Sequence, residues 1–346
     1  MELLALVLML FGIFAMVGAQ VLIKKTLSHF GDMEVNVAIS VIAASFLVLW
    51  VLSPFNTSWN SWTPSHPDQI LFWGALLIGA LVNTAIRFAT TKSYSKADLT
   101  RIAPIQAMTP GLIVVTAMLI GEFPSMMGYA GIVLIMVGTY VHIREGAAFR
   151  DYFKPLFIWN LFGAPSYAGM TTEQREMEAQ TQSALRWAYG SAIMGTFGLL
   201  ATGIMSRHGD VAFGSAVDQI ITSLIFLFAF SYLSRNEKKV ERLPVWERAT
   251  KYWPLLSLAG ILYALHMVLI MSAFRLAPVA YIGSLKRVSI FLTVLLAVFV
   301  LKETTMSWRR IGLASIIAIG AVLLALDPTQ AVVLNSLDEY LIFLRK

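Results

Sequence analysis

Charged and strongly polar side chains are scarce in the apolar runs of this sequence, so each one found there calls for a reason. Lys286 and Arg287 stand side by side well inside one such run, about 12 Å deep for a helix rising roughly 1.5 Å per residue. A charge at that depth costs roughly 2.5–3.5 kcal/mol on insertion scales and is functional by default. One or both are read as facing a central cavity and holding an anionic group. The competing readings are pairing with a carboxylate or with helix-end carbonyls, and snorkelling toward an interface. Asp218 is the acid well inside a run, at similar depth. In a medium that disfavours charge, a carboxylate can exchange its charge for a proton. Asp218 is therefore a candidate coupling site for a proton or cation, or else half of an ion pair with Lys286, Arg287 or Arg101. Arg87 closes another run, with Asn83 one turn earlier on the same helical face, and Arg101 opens the next run after Asp98. Both arginines are read either as anchors of helix ends at the headgroups or as further ligands of an anion. Tyr263 and His266 share a face, His266 being either a packing residue or one that binds or handles protons, and Gln20 is a hydrogen-bonding candidate. These groups can hydrogen-bond or carry charge, and they form no nucleophile–base constellation. There is no phosphate-binding Gly-rich loop with Lys-Ser/Thr, no His-Glu-x-x-His and no Gly-x-Ser-x-Gly elbow. With Cys 0, thiolate chemistry is excluded. The expectation is a protein that is not an enzyme and uses no cofactor or metal.

Composition specifies the elements that must position these groups. Of 346 residues, 58% are hydrophobic and 13% charged, against roughly 25% charged in a soluble domain. So few charges cannot cover a soluble surface, and so much hydrophobicity excludes disorder. The net charge of +6 comes from short basic clusters between apolar runs, not from the dense patch a nucleic-acid partner needs. The expected surroundings are a lipid bilayer. Ten runs have the length of about 20 residues that a membrane-crossing helix needs: Leu3–Ile23, Val35–Leu52, Ile70–Thr90, Ala97–Ile120, Ser125–Ile143, Leu185–Met205, Val211–Leu233, Pro254–Phe274, Pro278–Leu301 and Ile311–Leu326. Barrel strands would be about half as long and would alternate polar with apolar. The first run lacks a basic leader and a cleavage site and is read as a retained helix.

The fold expected is therefore an all-α membrane protein of ten transmembrane helices, arranged as two inverted five-helix repeats. The first repeat covers 1–143 and the second 185–326. Between them lies a polar segment, 144–184, whose part Phe149–Phe162 suits a helix in the membrane interface, and a short tail covers 327–346. A weak internal match supports the division: Glu122 falls on Glu303 and Gly131 on Gly312, both at an offset of 181, and Lys92–Ala97 falls on Ala273–Pro278. Five is odd, so the second half enters the bilayer with opposite orientation, which is transporter architecture with a site between the halves. Pro104, Pro110 and Gly111 would bend the fourth helix. Gly128, Gly131 and Gly138 lie on roughly one face of the fifth and permit close helix contact.

The segment Ala277 to Ser289, containing Lys286 and Arg287 and running on into Lys302-Glu303, has a counterpart in Ser95 to Asp98, continuing through Pro104 and Pro110 to Gly121-Glu122 and Gly131. A small-residue turn, a helix, a Gly-Glu-type turn and a helix beginning near a Gly occur in both halves. In this the chain resembles the EamA-like branch of the drug/metabolite transporter superfamily, departing from it at Lys302, where the family has Gly, and in the long segment between the halves. The resemblance implies a secondary transporter of small organic metabolites, without ATP or covalent chemistry. It also identifies Glu122 and Glu303 as the family's turn glutamates, which fit structural caps at helix N-termini.

Within the spans, the bases Arg87, Arg101, Arg186, Lys286 and Arg287 face the acid Asp218, an excess that favours an anionic or amino-acid-like substrate. The partners expected are this small molecule and the bilayer, with the chain a monomer or homodimer in the cell (inner) membrane. Seventeen of the 26 basic residues lie in connections after odd-numbered spans and four on the other side, which puts both termini outside; relatives more often have theirs in the cytoplasm. The alternative function is an intramembrane lipid-processing enzyme or a flippase for a lipid-linked substrate, for which Asp218 and His266 are the available groups. A channel is disfavoured, since no ring of charge repeats.

Overall fold

The computed structural model describes residues 3–53, 69–102, 105, 112, 125–143, 171–233, 245–276, 282–283, 286, 289, 292–293, 296, 300 and 308–326. The described residues contain helices and no strand. The long helices are α1 (Leu3–Thr26), α2 (Asp32–Val51), α3 (Gln69–Lys96), α4 (Met126–Ile143), α5 (Thr172–His208), α6 (Val211–Leu233), α7 (Val245–Leu276) and α8 (Trp308–Ala325), and a single turn, Leu99–Ile102, follows α3. Six of them, α1, α2, α3, α5, α6 and α7, are long and apolar enough to cross a membrane. The fourth and ninth apolar runs, the segment Phe149–Phe162 and the tail fall wholly or mostly outside the described residues, as do Pro104, Pro110 and Gly111.

Helices α3, α5 and α7 outrun furthest the apolar segments that announce them, because hydropathy registers contact with lipid whereas a helix continues wherever its backbone bonds do. Helix α5 begins at Thr172, inside the segment expected to be a polar connection. A reciprocal cap starts it: Thr171 Oγ1 accepts from Gln174 N–H at 3.3 Å, and Gln174 Oε1 accepts from Thr171 N–H at 3.0 Å. This is a capping box followed by good helix formers. Helix α7 begins at Val245 and places Pro254 in its interior, not at its start as the apolar run implied. Helix α3 continues past Thr90 to Lys96, which changes the meaning of Arg87.

Helices of the two halves pack chiefly on each other: α1 on α7, α2 on α6, α3 on α5 and α4 on α8. Lipid offers no hydrophobic drive for association, so close contact relies on small residues. A Cβ built on Gly320 of α8 would stand 2.7 Å from the Gly131 carbonyl of α4, and one on Gly138 would stand 2.8 Å from the Ile317 side chain. Two of the three glycines read from the sequence thus form the α4–α8 contact.

One end of the bundle collects basic groups on helix termini. Lys24, closing α1, donates to the carbonyls of Tyr94 at 2.6 Å and Ala97 at 2.8 Å at the end of α3, the ammonium serving as a C-terminal cap. Lys96 donates to Ser183 of α5 at 2.6 Å, and Lys92 pairs with Asp32 at the start of α2 at 2.9 Å. Arg248 near the start of α7 grips both carboxylate oxygens of Glu34 at 3.0 and 3.1 Å. At the other end Phe72 and Trp73, opening α3, pack against Phe213, opening α6. Helices α1 and α3 therefore run toward the basic end, and α2, α5 and α7 run away from it.

Candidate functional site

Two helices carry polar residues at helical spacing. On α3 these are Asn83, Thr84, Arg87, Thr90, Thr91 and Tyr94; on α6 they are Ser215, Asp218, Gln219, Thr222 and Ser223. The intervals of three and four place each set on one face, and both faces turn inward. Thr84 Oγ1 meets Thr222 Oγ1 at 3.1 Å. Arg87, 7% exposed, donates through Nη1 to Ser40 Oγ of α2 at 2.7 Å and to Gln219 Oε1 at 3.1 Å. The Gln219 amide passes the contact on, its Nε2 donating to Asp218 Oδ2 at 2.9 Å, while Asn83 Nδ2 reaches Asp218 Oδ1 at 3.4 Å. The guanidinium carbon lies 3.8 Å from the ring centroid of Tyr263 on α7, a cation–π contact strengthened by burial. Four helices from both halves thus hold one buried cation and one buried carboxylate.

A cavity of about 190 Å³ opens beside this network. Helix α1 contributes Gln20, α3 contributes Asn83 and Arg87, α7 contributes Tyr263 and His266, and the ninth apolar run contributes Lys286. Gly198 of α5 also lines it, and a Cβ there would come within 2.8 Å of Asn83 Oδ1, so the small residue leaves room for that amide. His266 Nδ1 stands 2.9 Å from the Gly12 carbonyl of α1. A carbonyl only accepts, so the neutral ring carries its proton on Nδ1 and presents Nε2 as an acceptor. Gln20 Oε1 accepts from Thr293 at 3.0 Å, tying the ninth run to α1. The Lys286 N–H donates to the Ile282 carbonyl at 3.0 Å, and the Ser289 N–H to the Lys286 carbonyl at 3.1 Å.

Six of the expected site residues, Gln20, Asn83, Arg87, Tyr263, His266 and Lys286, therefore line one cavity. Two expectations change. Arg87 does not anchor a helix end at the headgroups: α3 continues to Lys96, and the guanidinium is buried among α2, α6 and α7. The described partners of Asp218 are the amides of Asn83 and Gln219, not Lys286, and it stands behind Asn83, outside the cavity lining. Arg287, Glu122, Glu303 and the side chain of Arg101 lie outside the described residues. The reading of isolated charges missed Gln219, Ser40, Thr84, Thr222 and Thr293. The signal that finds the α3 and α6 members is the polar stripe at helical period; nothing local singles out Ser40 or Thr293.

Among curated proteins none matches the chain. A solved structure described only as "Crystal structure of protein" is similar with a TM-score of 0.60 and 16% sequence identity, covering 92% of this chain and 95% of its own. At that identity the likeness shows a shared fold and nothing more. The sequence profile of the EamA-like transporter family matches residues 3–144, the part of the chain that supplies Gln20, Asn83 and Arg87 to the cavity. Helices of membrane-crossing length and apolarity make this a multi-pass membrane protein, and over residues 3–144, less than half of the chain, it is similar to the EamA-like transporter family.

Proposed function

We propose that the chain is a secondary transporter of small organic metabolites bearing an anionic group, working by alternating access through ten spanning helices in two inverted repeats. The observation that carries this reading is the cavity between α1 and α3 of the first half and α5 and α7 of the second, lined by Arg87 and Lys286. Sites of inverted-repeat transporters lie at such an interface. The packing supports the repeat. Counted in spans, α1 on α7 is first on eighth and α3 on α5 is third on sixth; a shift of five spans turns one pair into the other. It turns α2 on α6 and α4 on α8 into themselves. The opposite directions of α1 and α5 support the inversion.

In this reading the domains are 1–143 and 185–326, with 144–184 between them. Arg101 and Arg287 add positive charge near the site, Glu122 and Glu303 hold helix turns, and the protein works in the inner membrane as a monomer or homodimer. Asp218 couples transport by exchanging a proton, its link to the cavity running through Asn83 on one side and through Gln219 to Arg87 on the other. The test is flux in proteoliposomes loaded with a panel of organic anions. Wild-type protein is expected to show saturable counterflow, and accumulation when a proton gradient is imposed. Asp218→Asn is expected to keep counterflow and lose gradient-driven accumulation. Flux that neither saturates nor counterflows overturns the carrier, and accumulation unchanged in Asp218→Asn overturns the coupling role.

A further inference from the structure

Two acceptors on the cavity wall have nothing to accept. The Nδ1–H of His266 is committed to the Gly12 carbonyl at 2.9 Å, which leaves Nε2 as a bare lone pair. Asn83 turns its Nδ2 to Asp218, which leaves Oδ1, 2.8 Å from where a Cβ on Gly198 would stand. Neither atom has a donor among the described residues. The described side-chain atoms that are both fully buried and unpartnered include Arg87 Nε and Nη2 but neither of these two. Both therefore keep accessible surface, and the space that His266, Asn83 and Gly198 border together is the cavity. His266 is only 5% exposed, so its lone pair is screened from bulk water. An acceptor so placed and left without a donor is costly and calls for an explanation.

The hydroxyls of the wall spend their protons elsewhere. Thr91, Ser191, Ser289 and Thr293 also line the cavity. Thr91 donates to Asn36 Oδ1 at 2.9 Å, Ser191 to the Ala188 carbonyl at 2.8 Å, Ser289 to the Lys286 carbonyl and Thr293 to Gln20 Oε1 at 3.0 Å. From this we infer the substrate class, resting on the transporter reading above for the anionic group: a compact hydroxycarboxylate whose hydroxyls donate to His266 Nε2 and Asn83 Oδ1. Both acceptors are neutral, and no Asp or Glu is among the described residues lining the cavity. A hydroxyl leaves water for such acceptors at modest cost, whereas an ammonium gives up far more hydration. A methyl group or an ether oxygen leaves both lone pairs unmet, which is how a site built around a hydroxyl rejects the analogue that lacks it. The volume of about 190 Å³ is below the roughly 300–1,000 Å³ of drug-sized ligand sites, which limits the cargo to a compact molecule.

Ligand-induced thermal stabilisation of the full-length protein in detergent tests this with matched probes: glycerate, lactate, propionate, 2-methoxypropionate and alanine. Glycerate or lactate is expected to bind roughly tenfold or more tightly than the other three. His266→Phe keeps a flat ring and removes the lone pair, and should cut that preference roughly fivefold or more. The wild-type ranking stands as a test even if this variant does not fold. Propionate, 2-methoxypropionate or alanine binding as tightly as the better hydroxy acid, no probe binding at all, or an unchanged preference in a folded His266→Phe overturns the inference. Counterflow of the same probes in proteoliposomes keeps the two claims apart. A hydroxy acid that binds with this preference but is not carried leaves the inference and removes the transporter; carriage of propionate as readily as lactate and glycerate does the reverse.

Discussion

Replacing Glu34 by glutamine removes one charge and almost no volume from the contact that joins the two halves at the basic end. Arg248 of α7 holds Glu34 of α2 through two nitrogens at 3.0 and 3.1 Å, and the two side chains are 11% and 17% exposed. An exposed pair is worth roughly 0.2–1 kcal/mol, and breaking a fully buried one costs about 3–5 kcal/mol because a charge is left behind. This pair is mostly covered, which places it toward the upper range. Two features reduce the loss: Arg248 keeps its bond to the His29 carbonyl at 2.9 Å and its place 5.3 Å over Phe30, and the substituted amide still offers one acceptor. The expected loss is about 2 kcal/mol. Domains of 150–250 residues lose roughly 2–4 °C of Tm per kcal/mol and larger ones less, so thermal unfolding in detergent should show a drop of about 3 °C. The direct measure is a cycle of Glu34→Gln with Arg248→Met. If the charges act on each other, the double variant should lose about 1–2 kcal/mol less than the two single losses added together. Losses that add to within about 0.3 kcal/mol, the behaviour of independent sites, would falsify the assignment of Glu34–Arg248 as the clamp between the halves.

Other outcomes follow from single contacts. Gly320→Ala would set a Cβ 2.7 Å from the Gly131 carbonyl and 3.0 Å from the Ile135 nitrogen, both backbone atoms, so a loss of roughly 1–3 kcal/mol is expected. Gly312→Ala has nothing within 4 Å and serves as the control; equal stability of the two variants argues against the α4–α8 contact. Thr171→Ala breaks the reciprocal cap with Gln174 and should cost about 1 kcal/mol. It should appear as faster amide exchange in the first turns of α5 with ligand binding unchanged, and unaltered exchange there rules the cap out as the start of the helix. The chain has Cys 0, so single cysteines report orientation directly. Leu52→Cys, after α2, should react with an impermeant maleimide added outside intact cells. Ser95→Cys, near the end of α3, should react only after permeabilisation, and the reverse pattern places the basic end outside.

Much of this protein is legible in its residue order. Apolar length alone locates the six described helices that are long and apolar enough to cross lipid, where unsatisfied backbone cannot persist, and the clustering of basic residues marks one end of the bundle before any contact is known. The cost of charge in lipid also points to Arg87, Asp218 and Lys286 without knowledge of their neighbours. What residue order leaves open is where helices stop outside the lipid, since α3, α5 and α7 continue on caps and backbone bonds that carry no hydropathy signal. It also leaves open which charges meet. Asp218 has three bases as plausible partners in one dimension. Only packing of α2, α3, α6 and α7 sets Gln219 between it and Arg87 and assigns Ser40 to the same guanidinium. Burial and distance are properties of the assembled bundle, and they turn an arginine read as a helix-end anchor into the buried centre of a network across four helices.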